Sequence, residues 1–289
     1  MERKIEKVFK RPANFGMVGD GFRVYHYIPG PYNIQRRMSP FLLLDFNPAY
    51  DFGKSDYLRG VDVHPHKGFE TVTIAYKGAV AHHDSAGNSG VIHPGDVQWM
   101  TAGKGILHKE YHEQNFAQKG GDFEMVQLWV NLPAKDKLTT PKYQSLTAQH
   151  IPQYTLPNEQ GLVNIIAGNF MNIEGAATTF SEVNLFDVKL KSGAHLNFDT
   201  VAAHNTAVLV IEGTAIINGE NVNEHDFVLF SHEGENIDIQ SKTDTVMLVM
   251  SGMPIEEPIA SYGPFVMNTQ AEIIEAIQEY QQGKFGTLN

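Results

Sequence analysis

Short runs of β-branched and aromatic residues recur along the whole chain, at Phe22–Ile28, 71–76, 126–130, 185–190, 207–211, Phe227–Phe230 and 245–250. Gly, Asn, Asp and Pro separate them, and no long stretch of helical periodicity lies between. That spacing predicts an all-β protein built of sandwiches or barrels. One helix is expected near the C-terminus. Thr269-Gln-Ala-Glu272 forms a capping box, Ile273, Ile274, Ile277 and Tyr280 supply an apolar face, and Gly283 offers a stop.

The same pattern divides the chain. Residues 131–161 are rich in Pro, Thr, Gln and Lys and poor in strand signal, which reads as a connection between two halves. The halves resemble each other. "AYKGAVAHHD" (75–84) and "VIEGTAIING" (210–219) each pass from a strand through Gly into a second strand. "PGDVQWM" (94–100) and "EHDFVLF" (224–230) then follow as further strands. An internally duplicated β-barrel is the expectation, with a first domain over 1–140, a linker over 141–161 and a second domain over 162–289 ending in the helix.

Composition narrows the chemistry. The 289 residues are 42% hydrophobic and 19% charged, a globular balance, with 22 basic against 33 acidic side chains. The basic residues cluster only in the first eleven, interleaved with Glu2 and Glu6, so direct nucleic-acid binding is disfavoured. There is no cysteine, so any metal must be held by His, Asp or Glu. No apolar stretch follows the N-terminal charges and no window approaches eighteen apolar residues. The expected location is therefore the cytoplasm, with no membrane span.

Seven of the thirteen histidines fall between residues 64 and 112. In a strand, residues i and i+2 share a face, so His64 and His66 of "HPHKG" can aim at one point. His108 and Glu110 of "GILHKE" repeat that spacing. Two adjacent strands could thus bring three imidazoles and one carboxylate to one centre, a donor set suited to iron, copper, nickel or zinc. Glu70 shares the face of His66 if its strand stays regular, and reads as an acceptor behind the ligands or a pocket residue. The spacing does not exclude it as a ligand. His82, His83 and Asp84 read as a polar cluster at a strand end that could orient ligands or meet substrate, and His112 as exposed. Phe69, Trp99 and Met100 are candidates for pocket lining or core. In the second half His195, His204, His225 and His232 are dispersed, so no metal is expected there.

"HPHKGFETVT", "HHDSAGNSG", "HPGDVQWMTAGKGILHKE", "VQLWVNLP" and the later "GPFVMNT" closely resemble the pirin family of the cupin superfamily. The resemblance spans roughly residues 15 to 285. It implies a bicupin, two antiparallel jelly-roll-like barrels with metal only in the first. It also implies the ligands His64, His66, His108 and Glu110, with Glu110 preferred over Glu70. The metal it implies is one divalent ion, iron(II), with manganese, nickel, copper or zinc as alternatives. Two roles follow from the family. One is a quercetin 2,3-dioxygenase-type enzyme cleaving a flavonol or similar aromatic enol with O2, Glu110 also taking the substrate's proton. The other is a non-enzymatic, redox-responsive regulatory protein acting through a protein partner.

Overall fold

The computed structural model describes residues 1–288. The chain forms two compact units, one of Met1–Ala13, Arg36–Pro40 and Gln149–Pro254, the other of Asn14–Gln35, Phe41–Ala148 and Ile255–Asn289. Each contains a seven-stranded and a four-stranded antiparallel sheet. Two cupin-type barrels and a C-terminal helix are the architecture that the strand spacing and the family motifs anticipated.

In the unit that carries the histidine cluster, the larger sheet runs Lys142–Leu146, Val97–Thr101, Phe69–Lys77, Asp122–Asn131, Phe41–Asp51, Phe22–Ile28, Gly16–Val18. The smaller runs Gly60–His66, Ile106–His112, Val80–Asp84, Ser89–Ile92. Ile106–His112 alternates buried and half-buried residues along its length, as expected of a strand with one face turned inward. Phe22, Val24, Ala75, Val80, Phe123 and Met125 form one apolar cluster of this unit.

The other unit repeats the plan. Its larger sheet runs Ile5–Phe9, Phe227–Phe230, Asn205–Glu212, Thr245–Gly252, Val183–Leu190, Gly161–Ala167, Gln153–Thr155. Its smaller sheet runs His195–Asp199, Asn236–Ser241, Ala215–Ile217, Glu220–Val222. An aliphatic core that includes Val188, Val208, Val210, Val228, Ile237, Ile239 and Val249 fills it.

The two units differ from the expected boundaries at both termini. Ile5–Phe9 pairs with Phe227–Phe230, so the first thirteen residues belong with the later half of the chain. Arg3 fixes that segment, its buried guanidinium donating to Thr200 Oγ1 at 2.8 Å and to the His204 carbonyl at 2.6 Å. The last thirty-five residues belong with the earlier half, where Ile273, Ala276 and Phe285 pack with Phe265 and Leu107. The expected linker also contains structure: Lys142–Leu146 extends one sheet beside Val97–Thr101, and Gln153–Thr155 extends the other beside Gly161–Ala167. Edge strands of this kind are short and polar, which is why their composition reads as loop.

The helix spans Gln270–Gln281, and both reciprocal bonds of the Thr269–Glu272 capping box are present. Its inward face is carried by Ile273, Ala276 and Ile277, whereas Ile274 is 57% exposed. Ile273, Ala276 and Ile277 stand at i, i+3 and i+4 and share one face, and Ile274 falls outside that stripe. A six-residue helix, Gln114–Lys119, lacked a sequence signal of useful length.

Candidate metal centre

Gly60–His66 and Ile106–His112 lie side by side, with His64 opposite His108 and His66 opposite Ile106. Directly opposed residues share a face, so period-two spacing on each strand turns all three imidazoles the same way. The nitrogens of His64, His66 and His108 available as ligands lie within 4.8 Å of one another. His108 Nε2 is 2.7 Å from His64 Nε2 and 3.0 Å from His66 Nε2. A register shift between His108 and Glu110 marks an irregularity in the strand there.

The protonation pattern favours a cation at the convergence point. His64 Nδ1 lies 2.8 Å from the Asp62 carbonyl. A carbonyl can only accept, so Nδ1 carries the proton and the lone pair is left on Nε2. Burial, together with the neighbouring imidazoles, holds His66 and His108 well below the ordinary histidine pKa, so both are neutral at neutral pH. Two close contacts converge on His108 Nε2, and one neutral ring nitrogen cannot both donate and accept there, whereas a divalent ion accepts all three lone pairs. The donor set fits a metal.

Glu110 lies beside this group, its Oε2 3.8 Å from His108 Nε2 and its Oε1 accepting from Thr73 Oγ1 at 3.2 Å. Burial pushes its carboxyl up to about 7. Glu70 is placed elsewhere. The strand of His66 ends there, Gly68 turns with φ +87°, and a new strand begins at Phe69. Face parity is lost across that turn. Glu70 stands on the opposite sheet face from Thr73, accepting from Thr101 Oγ1 at 2.7 Å, with burial pushing it up to about 7.

The remaining candidates separate. His82 is fully buried and its Nε2 meets the Tyr143 hydroxyl at 2.7 Å. It lies opposite Glu110 in the strand pairing, and burial lowers it to about 4. His83 stacks on Tyr111, and Asp84 organises the following turn by accepting from the backbone of Ala86 and Asn88. His112, expected to be exposed, is buried among Phe22, Phe52 and Phe123 and donates to the Gly21 carbonyl. In the other unit the histidines have separate partners: His195 with Asp238, His204 with Glu182, His225 with Glu224 and His232 with Asn205.

A cavity of about 290 Å³ adjoins the cluster, with His64, His66 and Glu110 in its wall. Val61 of the smaller sheet adds to it, and the rest of the wall comes from the larger sheet: Val18, Phe22, Val24 and His26, then Leu43 and Asp45, then Met125, Gln127 and Trp129. Trp129 packs edge-on against His66 and tilted by 32° against Phe69. Phe69, Trp99 and Met100 are fully buried and do not line this cavity. Apart from His64, His66 and Glu110, and Gln127 and Trp129 within "VQLWVNLP", its walls lie outside the sequence motifs. The available signal was the alternation Phe22, Val24, His26, which places a histidine on an otherwise apolar strand face.

Comparison with known proteins decides the family. The Pirin family model matches residues 21–130, and the model of the Pirin C-terminal cupin domain matches residues 185–286. This chain belongs to the pirin family. Among its pirin relatives, a Pseudomonas aeruginosa protein provisionally named a quercetin 2,3-dioxygenase is 47% identical over 274 residues, covering 94% of this chain and 95% of that protein. A tomato (Solanum lycopersicum) pirin-like protein is 38% identical over 288 residues, covering 98% and 92%. The crystal structure of a quercetin 2,3-dioxygenase from Acinetobacter baumannii superposes with a TM-score of 0.94 at 44% identity, covering both chains completely. The first barrel of this pirin thus carries the three-histidine cluster, which could hold a metal ion.

Proposed function

We propose that this pirin is an iron-dependent dioxygenase of the quercetin 2,3-dioxygenase type, cleaving a flavonol or similar enol with O2. Relatives bearing that name support the reading. The observation that carries it is the convergence of three neutral imidazoles and one carboxyl at the wall of an apolar cavity. In this reading His64, His66, His108 and Glu110 hold the metal. Bound iron(II) would supply Lewis acidity that lowers the pKa of an enolic hydroxyl and leaves an electron-rich enolate open to O2.

The chain's own groups do the rest. Glu110, a carboxyl in the cavity wall beside the imidazoles, is placed to accept the hydroxyl proton. Thr73 Oγ1 orients that carboxyl through Oε1. Phe22, Leu43, Met125 and Trp129 exclude water and offer flat apolar surface to an aromatic ring system.

The test is aerobic turnover by iron-loaded protein. The reading expects loss of flavonol absorbance with matching O2 uptake and CO release. A fully loaded protein that consumes no flavonol overturns it.

A further inference from the structure

The cavity has a second polar end. His26 and Asp45 are register partners on adjacent strands, and His26 Nδ1 lies 2.6 Å from Asp45 Oδ1. Asp45 is 6% exposed, whereas the His26 side chain is 46% exposed, so the pair joins the cavity wall to solvent. A chain of register partners continues inward from it: Asp45 opposite Gln127, and Gln127 opposite Thr73. The Thr73 hydroxyl stands between Gln127 Oε1 at 2.9 Å and Glu110 Oε1 at 3.2 Å, its one proton serving either acceptor. Four strands therefore present a polar row, His26, Asp45, Gln127, Thr73, beneath otherwise apolar walls. Three strand spacings separate its ends, about 14 Å.

The far end is built to leave one nitrogen free for a ligand. Asp45 engages Nδ1, which leaves Nε2. A Cβ at Gly16 would stand 2.7 Å from that Nε2. Glycine at this strand position keeps the nitrogen uncrowded although its own backbone needs no special conformation. Neutral, His26 accepts at Nε2 from a hydroxyl; protonated, it donates to a phenolate. Both states select an oxygen at that end of the cavity.

We infer that the His26–Asp45 pair is a specificity site for a second hydroxyl, at the end of the substrate remote from the hydroxyl placed beside Glu110. The substrate class is then a planar polyphenol with oxygen at both ends and an apolar middle. The inference rests on the proposed function for its choice of ligand class, and its test separates the two.

Anaerobic titration of iron-loaded protein with 3-hydroxyflavone and with analogues hydroxylated on the remote rings measures the preference directly. A site built to hydrogen-bond a hydroxyl discriminates against the analogue lacking it, here by about tenfold or more in Kd for at least one analogue. His26→Ala and Asp45→Asn should abolish that ratio, read as the quotient of the two Kd values within each variant. Gly16→Ala, which crowds Nε2, should lower it. His26→Gln, which keeps a side chain able to hydrogen-bond, should restore part of it. An undiminished ratio in folded His26→Ala or Asp45→Asn overturns the inference, as does wild-type protein that binds every probe equally or none. If the ratio behaves as expected but no probe consumes O2 in air, the dioxygenase reading falls and the specificity site stands.

Discussion

The two barrels share a plan of seven strands facing four and fill it in opposite ways. One is packed with valine, isoleucine, leucine and phenylalanine. The other places His64, His66, His82, His108, Glu110, Thr73 and Gln127 inside or around a cavity, and leaves buried nitrogens on His66, His82 and His108 without a partner among the described residues. The fold therefore does not require a polar interior. The first barrel carries one at a cost in packing and desolvation, which is the usual mark of a site retained for chemistry.

Truncating the filled barrel should produce the largest effect. Phe186 is buried in the aliphatic core, and Phe186→Ala is expected to destabilise that unit by about 3–5 kcal/mol. Hydrogen exchange resolved by unit would read the loss there, with metal binding by the other unit intact. Equal loss of protection in both units would break the comparison.

Metal should act on the other side. Saturating the first barrel at a hundredfold excess over Kd stabilises it by about 2.7 kcal/mol, visible as slowed exchange in Gly60–His66 and Ile106–His112 and none in the aliphatic core. Uniform slowing would contradict a single site.

The ionisable interior should also make the first barrel sensitive to pH. Burial holds His64, His66 and His108 below 6.5 in the folded state. Their contribution to stability is complete above that value and is lost as pH falls, because the unfolded chain then binds more protons. Metal-free protein should accordingly lose stability below about pH 6.5. Glu70 runs the other way. Its folded pKa of about 7 exceeds the ordinary 4.5, so its contribution is present below 4.5 and lost as pH rises through about 7. Glu70→Gln should therefore gain on the parent protein as pH rises from 5 to 8, measured as the difference between their melting temperatures. A constant difference would show that Glu70 ionises normally.

The smallest expected change lies outside both interiors. Thr269→Ala removes the capping bond to the Glu272 amide and should cost about 1 kcal/mol, without altering metal content.

What the sequence revealed depended on range. His-x-His and His-x-Glu were legible because period two operates within one strand, and the Thr269 capping box because it closes over three residues. A shared face for Glu70 and His66 requires a regular strand, and parity does not survive the turn at Gly68. His112 reads as exposed because its cover, Phe22, Phe52 and Phe123, comes from other elements of the chain. His26 and Asp45 were invisible for the same reason, since only pairing across nineteen positions brings them together. The placement of the N-terminal strand likewise depends on pairing more than two hundred residues apart.

The central claim is that one barrel holds a metal through His64, His66, His108 and Glu110 while the core of its structural twin is filled with apolar side chains. Elemental analysis of extensively dialysed protein, wild type beside His66→Ala and His108→Ala, tests it most directly. The account predicts one transition-metal ion per wild-type chain and loss of most of it in each folded variant. Stoichiometric metal retained in either variant, or two ions per wild-type chain, would contradict it.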